Sequence, residues 1–183
     1  AMSLEAFKTD LGALSPDQMV QRWLLTGSCA MIEDAAVHAV CDEIARNFEI
    51  EYNDVVVVGS ARLGFSIKPT RRFESFGEES DVDVAVVSTP LFERVWKEVY
   101  AYDRSGAYWP DKSSFRKYLS RGWIRPDLLP PEDTFEFSRG WWPFFNELNV
   151  AGCPYKITCG IYHSQFFLRE YQKICIEQCR DEL

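Results

Sequence analysis

The strongest structural signal in this chain comes from residues 55–60, Val-Val-Val-Val-Gly-Ser, and residues 80–88, Ser-Asp-Val-Asp-Val-Ala-Val-Val-Ser. Runs of β-branched residues predict strands covered on both faces, so we interpret each segment as a buried strand. Side chains alternate along a strand, so Asp81 and Asp83 project from the same face. Two neighbouring carboxylates repel each other, and a protein keeps such a pair chiefly where a cation neutralises it. We therefore expect a divalent cation, Mg²⁺ or Mn²⁺, at this pair.

These residues resemble the motif of the nucleotidyltransferase superfamily typified by DNA polymerase beta. In that superfamily a strand ends in Gly-Ser or Gly-Gly at the start of a helix, and the next strand carries Asp-x-Asp between apolar residues. The matching positions are Gly59 and Ser60, followed by Asp81 and Asp83. The resemblance implies an α/β (α+β) fold with a small mixed β-sheet and helices packed against it. The alternative is an ordinary strand with two solvated acids, but the flanking valines indicate burial, where unpaired carboxylates are costly.

The resemblance also implies a reaction. Asp81 and Asp83 would coordinate magnesium on a nucleoside triphosphate, Gly59 and Ser60 would hold its β- and γ-phosphates, and an acceptor would attack the α-phosphorus and expel pyrophosphate. Asp81, Asp83 and Ser60 would be the catalytic residues. The small size resembles compact nucleotidyltransferases of bacterial defence and toxin–antitoxin systems. A protein, an RNA or a second nucleotide therefore stays open as the acceptor, and a homo-oligomer or a toxin–antitoxin partner is open as the assembly.

A basic cluster lies between the two halves of the motif, in an otherwise acidic protein. Arg62, Lys68 and Arg71 are its candidate nucleotide-binding residues, because cationic side chains pair with phosphate oxygens. Phenylalanines of the same insert, Phe65, Phe73 and Phe76, could stack on bases. The alternative is a solvated loop that its aromatic residues anchor.

A third carboxylate usually completes such sites, on a later strand beside the Asp-x-Asp strand. The best candidate for that strand, residues 155–162, carries Lys156 and Thr158 where an acid is expected. Glu136 would supply the group if residues 134–137 pair as a strand. Otherwise the protein uses one metal, takes a residue from a partner, or is a catalytically degenerate module that binds a nucleotide or RNA or scaffolds a partner.

The remaining pattern predicts one domain over residues 1–183 with four parts. These are a helical part (15–48), a catalytic core (52–102), an aromatic and basic loop region (103–137) and a C-terminal helix–strand–helix unit (138–183). Helices are expected over 15–25, 28–47, 90–102, 113–121 and 138–150 and after Ser164, and strands over 52–59, 81–88 and 154–162. Trp96 is expected in the core. Cations of the loop region, including Arg125, could hold a polynucleotide or a partner protein among its aromatic residues.

Composition narrows the class of protein. A net charge of −8 argues against broad, nonspecific nucleic-acid binding over the whole surface, although a local basic patch is compatible with it. No stretch is apolar for long enough to span a bilayer, and no secretory signal pattern is present, so a cytoplasmic location without membrane contact is expected. The six cysteines lie in apolar periodic segments and are interpreted as reduced core thiols.

Overall fold

Four strands form one mixed sheet in the computed structural model, which describes residues 3–182. The strands are β1 (Val55–Val58), β2 (Val82–Val87), β3 (Trp123–Ile124) and β4 (Ile157–Tyr162), in the order β1-β2-β4-β3. β2 runs antiparallel to β1 and parallel to β4, and β3 runs antiparallel to β4. The prediction of an α/β (α+β) fold with a small mixed sheet is confirmed; the expectation of a single domain stays a prediction.

Eight α-helices surround this sheet in the described part of the chain. They are α1 (Leu4–Ala13), α2 (Pro16–Met19), α3 (Asp34–Phe48), α4 (Ser60–Leu63), α5 (Thr89–Arg104), α6 (Lys112–Leu119), α7 (Glu136–Glu147) and α8 (Gln165–Arg180). α2 continues as a π-helical segment, Val20–Leu25, so the predicted helix over 15–25 is present. It begins with a capping box, in which the Gln18 backbone N–H donates to Ser15 Oγ and the Ser15 N–H donates to Gln18 Oε1. No helix within residues 3–182 has both the length and the apolar character needed to cross a membrane.

The two faces of the sheet have different partners because side chains alternate along β2. Val82, Val84 and Val86 are buried in the main core with residues of α3, α5 and α7. The opposite face presents Asp83, followed by Ala85 and Val87, which pack in a smaller cluster with Leu168 of α8. The valine-rich segments are therefore covered on both sides, as the β-branched runs predict. Asp83 is the one polar residue of β2.

Several predicted element boundaries are wrong. The strand expected over 154–162 is limited to Ile157–Tyr162, the helix expected over 138–150 is Glu136–Glu147, and two further changes have a cause in backbone hydrogen bonding. The helix expected from residue 28 begins at Asp34, since the Ala30 and Met31 N–H groups donate to backbone carbonyls of α4 instead. The strand expected from residue 52 begins at Val55, because Tyr52–Asp54 form a 3-10 turn. Both changes shorten the predicted elements without changing their order.

The predictions for α5 and for residues 134–137 also need correction. Leu91, Val95 and Val99 are buried as expected, but Trp96 is 47% exposed. It follows Val95 by one residue, which turns it about 100° around the helix toward solvent. The segment containing Glu136 is not a strand, because Glu136 is the first residue of α7 and is exposed.

Candidate active site

The turn after β1 is built around glycine. Gly59 has φ +71°, a conformation that L side chains rarely adopt, and a Cβ at this position would lie 2.8 Å from Asp83 Oδ2. Val58 is the residue of β1 that pairs with Asp83, which explains why the turn and the carboxylate meet. Glycine is therefore the residue that can adopt this backbone conformation without a side chain striking the Asp83 carboxylate. Ser60 follows at once and lines the same cleft as Asp83.

Asp83 is held by side chains from two other segments. Thr158, its cross-strand partner on β4, donates its hydroxyl to Oδ1 at 2.8 Å. The Lys68 ammonium lies 3.8 Å from Oδ2, and the Lys68 side chain is 69% exposed. The threonine fixes the carboxylate by a short hydrogen bond, whereas the exposed lysine contributes a weak, solvent-screened attraction. One carboxylate oxygen is therefore fixed, and the other lies near an exposed cation.

Asp81 lies immediately before β2, and its side chain is half-buried. The backbone N–H of Val82 donates to Lys156 O at 2.8 Å, so pairing with the β4 segment begins just after Asp81. Asp81 and Asp83 line the same cleft, as their spacing of two residues predicts. Within residues 3–182 no group of three or more His, Cys, Asp or Glu side chains is arranged to hold a metal. These two carboxylates would therefore need oxygen atoms of a substrate or water to complete a cation's coordination.

The cleft has a volume of about 630 Å³, which is within the usual range of small-molecule sites. Its acidic end consists of Ser60, Asp81 and Asp83, and a neighbouring pocket of about 130 Å³ shares these residues with Lys68 and Arg71. Aromatic side chains line much of the rest of the cleft: Trp123, Trp141, Trp142, Phe145, Tyr162 and Tyr171. The cleft therefore joins oxygen-rich and aromatic surfaces.

Three of these side chains form what we call the aromatic wall: Trp123, Tyr162 and Tyr171. The Trp123 ring stacks on Tyr162 at a centroid distance of 5.4 Å and meets Tyr171 at 4.6 Å. Trp123 lies over Gly160, where a Cβ would be 2.5 Å from its Nε1. Burial raises the pKa of both tyrosines, so their hydroxyls are neutral near neutral pH. The wall is therefore aromatic and uncharged.

The insert between α4 and β2 brings two of the three predicted cations to the site. Lys68 and Arg71 line the pocket beside Asp81 and Asp83, and the Arg71 guanidinium donates to Glu74 at 2.9 Å. Arg72 ties the insert to the end of α8, where it donates to Gln178 O at 3.0 Å and pairs with Glu182. The insert is therefore held against the end of α8, which lies 106 residues further along the chain.

The aromatic residues of the insert anchor it. Phe65 and Phe76 are buried at 5% and 8% exposure, and Phe73 packs against Phe65. Their rings are used in the protein interior, so the expectation that they stack on bases is wrong for the two buried residues. The aromatic residues therefore anchor the loop, as the alternative for this segment expects, and nucleotide binding by Lys68 and Arg71 stays a prediction.

Arg62 does not reach the cleft. Its side chain is buried, and its guanidinium donates to Leu24 O and Gly27 O, each at 2.8 Å. These bonds close the end of the π-helical segment onto α4. The prediction of Arg62 as a nucleotide ligand is therefore wrong, because the side chain is buried and two of its three guanidinium nitrogens donate to backbone carbonyls of another segment.

The place beside Asp83 on β4 holds no acid. Thr158 occupies it, Lys156 lines the cleft nearby, and Glu136 is not among the lining residues. Asp127 does line the cleft, where its carboxylate accepts bonds from the Arg125 guanidinium at 2.7 and 3.2 Å. Sequence reasoning missed Asp127 and Trp123 as cleft residues. A spacing of two residues, as between positions 123, 125 and 127, is typical of one face of a strand. No strand is predictable there, because β3 has only two residues and Pro126 follows closely.

Comparisons with known protein families, curated proteins and solved structures found no match. The chemistry of the site must therefore be inferred from its own groups. Two carboxylates and a serine line one cleft beside a glycine turn, and the cleft extends from there to aromatic rings. Such groups can hold a cation with an anionic ligand and enclose a flat ring system beside it.

Proposed function

We propose that this protein is a metal-dependent nucleotidyltransferase, which moves a nucleoside monophosphate from a nucleoside triphosphate to an acceptor. One observation carries the proposal: the Gly59 turn packs against the Asp83 carboxylate so closely that a Cβ would lie 2.8 Å from Oδ2. A phosphate and its counter-cation can approach backbone and carboxylate together only where no side chain intervenes. The resemblance of Gly59, Ser60, Asp81 and Asp83 to the superfamily motif supports the same function.

The residues fit a magnesium ion bound together with a substrate. Asp81 and Asp83 would hold it, and carboxylates with phosphate oxygens are the ligands Mg²⁺ prefers in sites of this kind. When bound, the ion would neutralise charge on the phosphates and on the departing pyrophosphate. Thr158 supports this arrangement because its hydroxyl fixes one oxygen of Asp83 and leaves the other facing the Gly59 turn.

The chain's own groups have separate tasks in the proposed reaction. Ser60 donates its hydroxyl to a β- or γ-phosphate oxygen, and Lys68, 3.8 Å from Asp83, balances phosphate charge at the rim. The cleft beyond them accepts the nucleoside. An acceptor oxygen bonds to the α-phosphorus, the bond to the bridging oxygen of the β-phosphate breaks, pyrophosphate leaves, and the acceptor proton passes to water.

Pyrophosphate release tests the proposal. Wild-type protein, each nucleoside triphosphate, Mg²⁺ and candidate acceptors are incubated together, and the double variant Asp81→Asn with Asp83→Asn is compared. The expected result is a loss of at least about a thousandfold, because the double variant removes both anionic ligands. Asp133→Asn, an exposed residue outside the cleft, is the matched control and should leave the rate unchanged. Release that survives the double variant contradicts the proposal.

A second candidate function is nucleotide or RNA binding without turnover, in a module that senses a nucleotide or scaffolds a partner. The observation that favours it is Thr158, which faces Asp83 where an acid would help to activate an acceptor. Calorimetry separates the candidates, because magnesium-independent nucleotide binding without pyrophosphate release supports the module. A cytoplasmic location and a homo-oligomer or toxin–antitoxin partner belong to the proposal as well.

A further inference from the structure

Three cationic side chains surround one tyrosine ring at the junction of α6 and β3. The Arg125 guanidinium carbon is 4.7 Å from the centre of the Tyr118 ring, that of Arg121 is 5.7 Å away, and the Lys117 ammonium is 5.9 Å away. Gly122, with φ +66°, turns the chain from α6 into β3 and so brings helix and strand residues together. We call these four residues, Lys117, Tyr118, Arg121 and Arg125, the Tyr118 cluster.

The charges of this cluster are incompletely balanced. Neighbouring cations of α6, Lys112 and Arg116, both pair with Asp103. Within residues 3–182, by contrast, Lys117 and Arg121 have no acidic partner within ion-pair distance, while Arg125 pairs with Asp127. Cation–ring attraction offsets the mutual repulsion of three cations only in part. In a protein of net charge −8, such a cluster is suited to an anionic ligand.

The Tyr118 cluster is continuous with the cleft. Tyr118 meets the edge of Trp123 at a centroid distance of 5.2 Å, and Trp123 and Arg125 both line the cleft that contains Asp81 and Asp83. Trp123 pairs with Tyr162, which lies further along β4 than Thr158, the partner of Asp83. The four-residue step from Thr158 to Tyr162 spans about 13 Å of strand. A ligand on the cluster and a ligand at the acidic end therefore occupy separate subsites of one surface.

We propose that the Tyr118 cluster binds a single-stranded polynucleotide and directs one of its ends into the cleft. Lys117 and Arg121, both exposed, turn from the Tyr118 ring to contact phosphates, which opens the ring to a stacked base. Alternating cations and aromatic rings suit a strand whose bases are unpaired, because every base has a face that can stack. An acidic peptide would use the cations but leave the ring without a matching group. This inference deepens the proposed function, on which it rests for the identity of the acceptor.

Binding is measured apart from catalysis, by fluorescence anisotropy with 5′-labelled RNA and DNA strands of about twelve nucleotides. Polyglutamate of equal charge serves as the comparison. The expected result is that the double variant Lys117→Glu with Arg121→Glu binds the labelled RNA or DNA at least tenfold more weakly. Because this double variant removes two cations that contact phosphates, the negative slope of log K against log salt should become smaller in magnitude by about 1.4. The RNA and DNA arms show which sugar the surface prefers.

The matched control makes the same change in charge elsewhere. Arg94→Glu with Lys97→Glu alters the exposed face of α5 and should change affinity less than twofold. Tyr118→Ala should weaken binding at least fivefold, and Tyr118→Phe should restore it because the ring remains. Circular dichroism confirms that each variant is folded.

Three outcomes overturn the inference: neither strand binds, the α5 control weakens binding as much as the cluster variant, or polyglutamate binds as tightly as both strands. Its failure is distinguishable from failure of the proposed function. If no strand binds but pyrophosphate release still depends on Asp81 and Asp83, only the inference fails. If a strand binds but the release is independent of both acids, only the proposed transfer fails.

Discussion

The two ends of the cleft are assembled in different ways. The acidic end comes from two paired strands, with the Gly59 turn after β1 and the two carboxylates at the start of β2, and it receives one reinforcing bond from Thr158. The aromatic wall comes from three separate elements, with Trp123 on β3, Tyr162 on β4 and Tyr171 on α8. One strand pairing, β1 with β2, creates the first end, whereas packing among β3, β4 and α8 creates the second. Substitutions should therefore affect the two ends separately.

Among single substitutions, Gly59→Ala is expected to have the largest effect, and to be confined to the acidic end. A Cβ would approach Asp83 Oδ2 to 2.8 Å at φ +71°. We expect a loss of at least about a hundredfold in pyrophosphate release and a destabilisation of about 1–3 kcal/mol, measured by denaturant unfolding. Gly12→Ala, in α1 with nothing within 4 Å of the new methyl group, is the control and should stabilise by about 0.5–1 kcal/mol. A fully active Gly59→Ala protein would remove the reason for placing the phosphates there.

Thr158→Val tests whether β4 reinforces the acidic end. It removes the 2.8 Å bond to Asp83 Oδ1 while keeping the side-chain volume. We expect about tenfold lower pyrophosphate release and about 1 kcal/mol less stability, since the carboxylate loses its only hydrogen bond from a side chain within the described residues. Thr158→Ser should recover most of the rate. If valine leaves both values unchanged, Asp83 is positioned by other means.

Gly160→Ala tests the aromatic wall in the same way. A Cβ there would lie 2.5 Å from Trp123 Nε1, so the indole must move. We expect at least fivefold weaker binding of single-stranded RNA or DNA by anisotropy, with a loss of only about twofold in magnesium–nucleotide affinity by calorimetry, because the triphosphate is held at the acidic end. Gly140→Ala, where nothing lies within 4 Å, is the matched control. Equal losses in both affinities would show that the two ends are not independent.

Lys68→Ala should have the smallest effect. Its ammonium is 3.8 Å from Asp83 Oδ2, and its side chain is 69% exposed, so removing the ion pair should change stability by less than about 0.5 kcal/mol. A roughly threefold rise in KM for the nucleoside triphosphate is expected, because one phosphate counter-charge is lost. Steady-state kinetics measure it, with Lys68→Arg as the conservative variant. A rise in KM above a hundredfold would contradict the interpretation of Lys68 as an exposed, weakly interacting charge at the rim of the cleft.

The contrast between the two ends also explains how far the sequence is informative. β1, β2 and β4 are predictable because each is rich in β-branched residues, and the common face of Asp81 and Asp83 follows from alternation along one strand. β3 is not predictable, since it has two residues and Pro126 follows closely. Its position depends on contacts with Tyr162 and Tyr171, which lie far along the chain.

The errors have a common physical cause. Arg62 has the residue type of a phosphate ligand, but it is buried and donates from two guanidinium nitrogens to backbone carbonyls of a distant segment. Trp96 has the residue type of a core side chain, but it lies beside the buried stripe of α5 and not within it. Residue type alone identifies neither the partner nor the exposure of a side chain, because both depend on tertiary contacts.

A crystal structure with Mn²⁺ and a non-hydrolysable nucleoside triphosphate analogue tests the central claim most directly. Anomalous scattering locates the metal independently of the nucleotide. We predict a manganese peak in contact with the carboxylates of Asp81 and Asp83, with the triphosphate against Gly59 and Ser60. A nucleotide bound elsewhere, or metal that avoids both carboxylates at saturating ligand, would contradict the account.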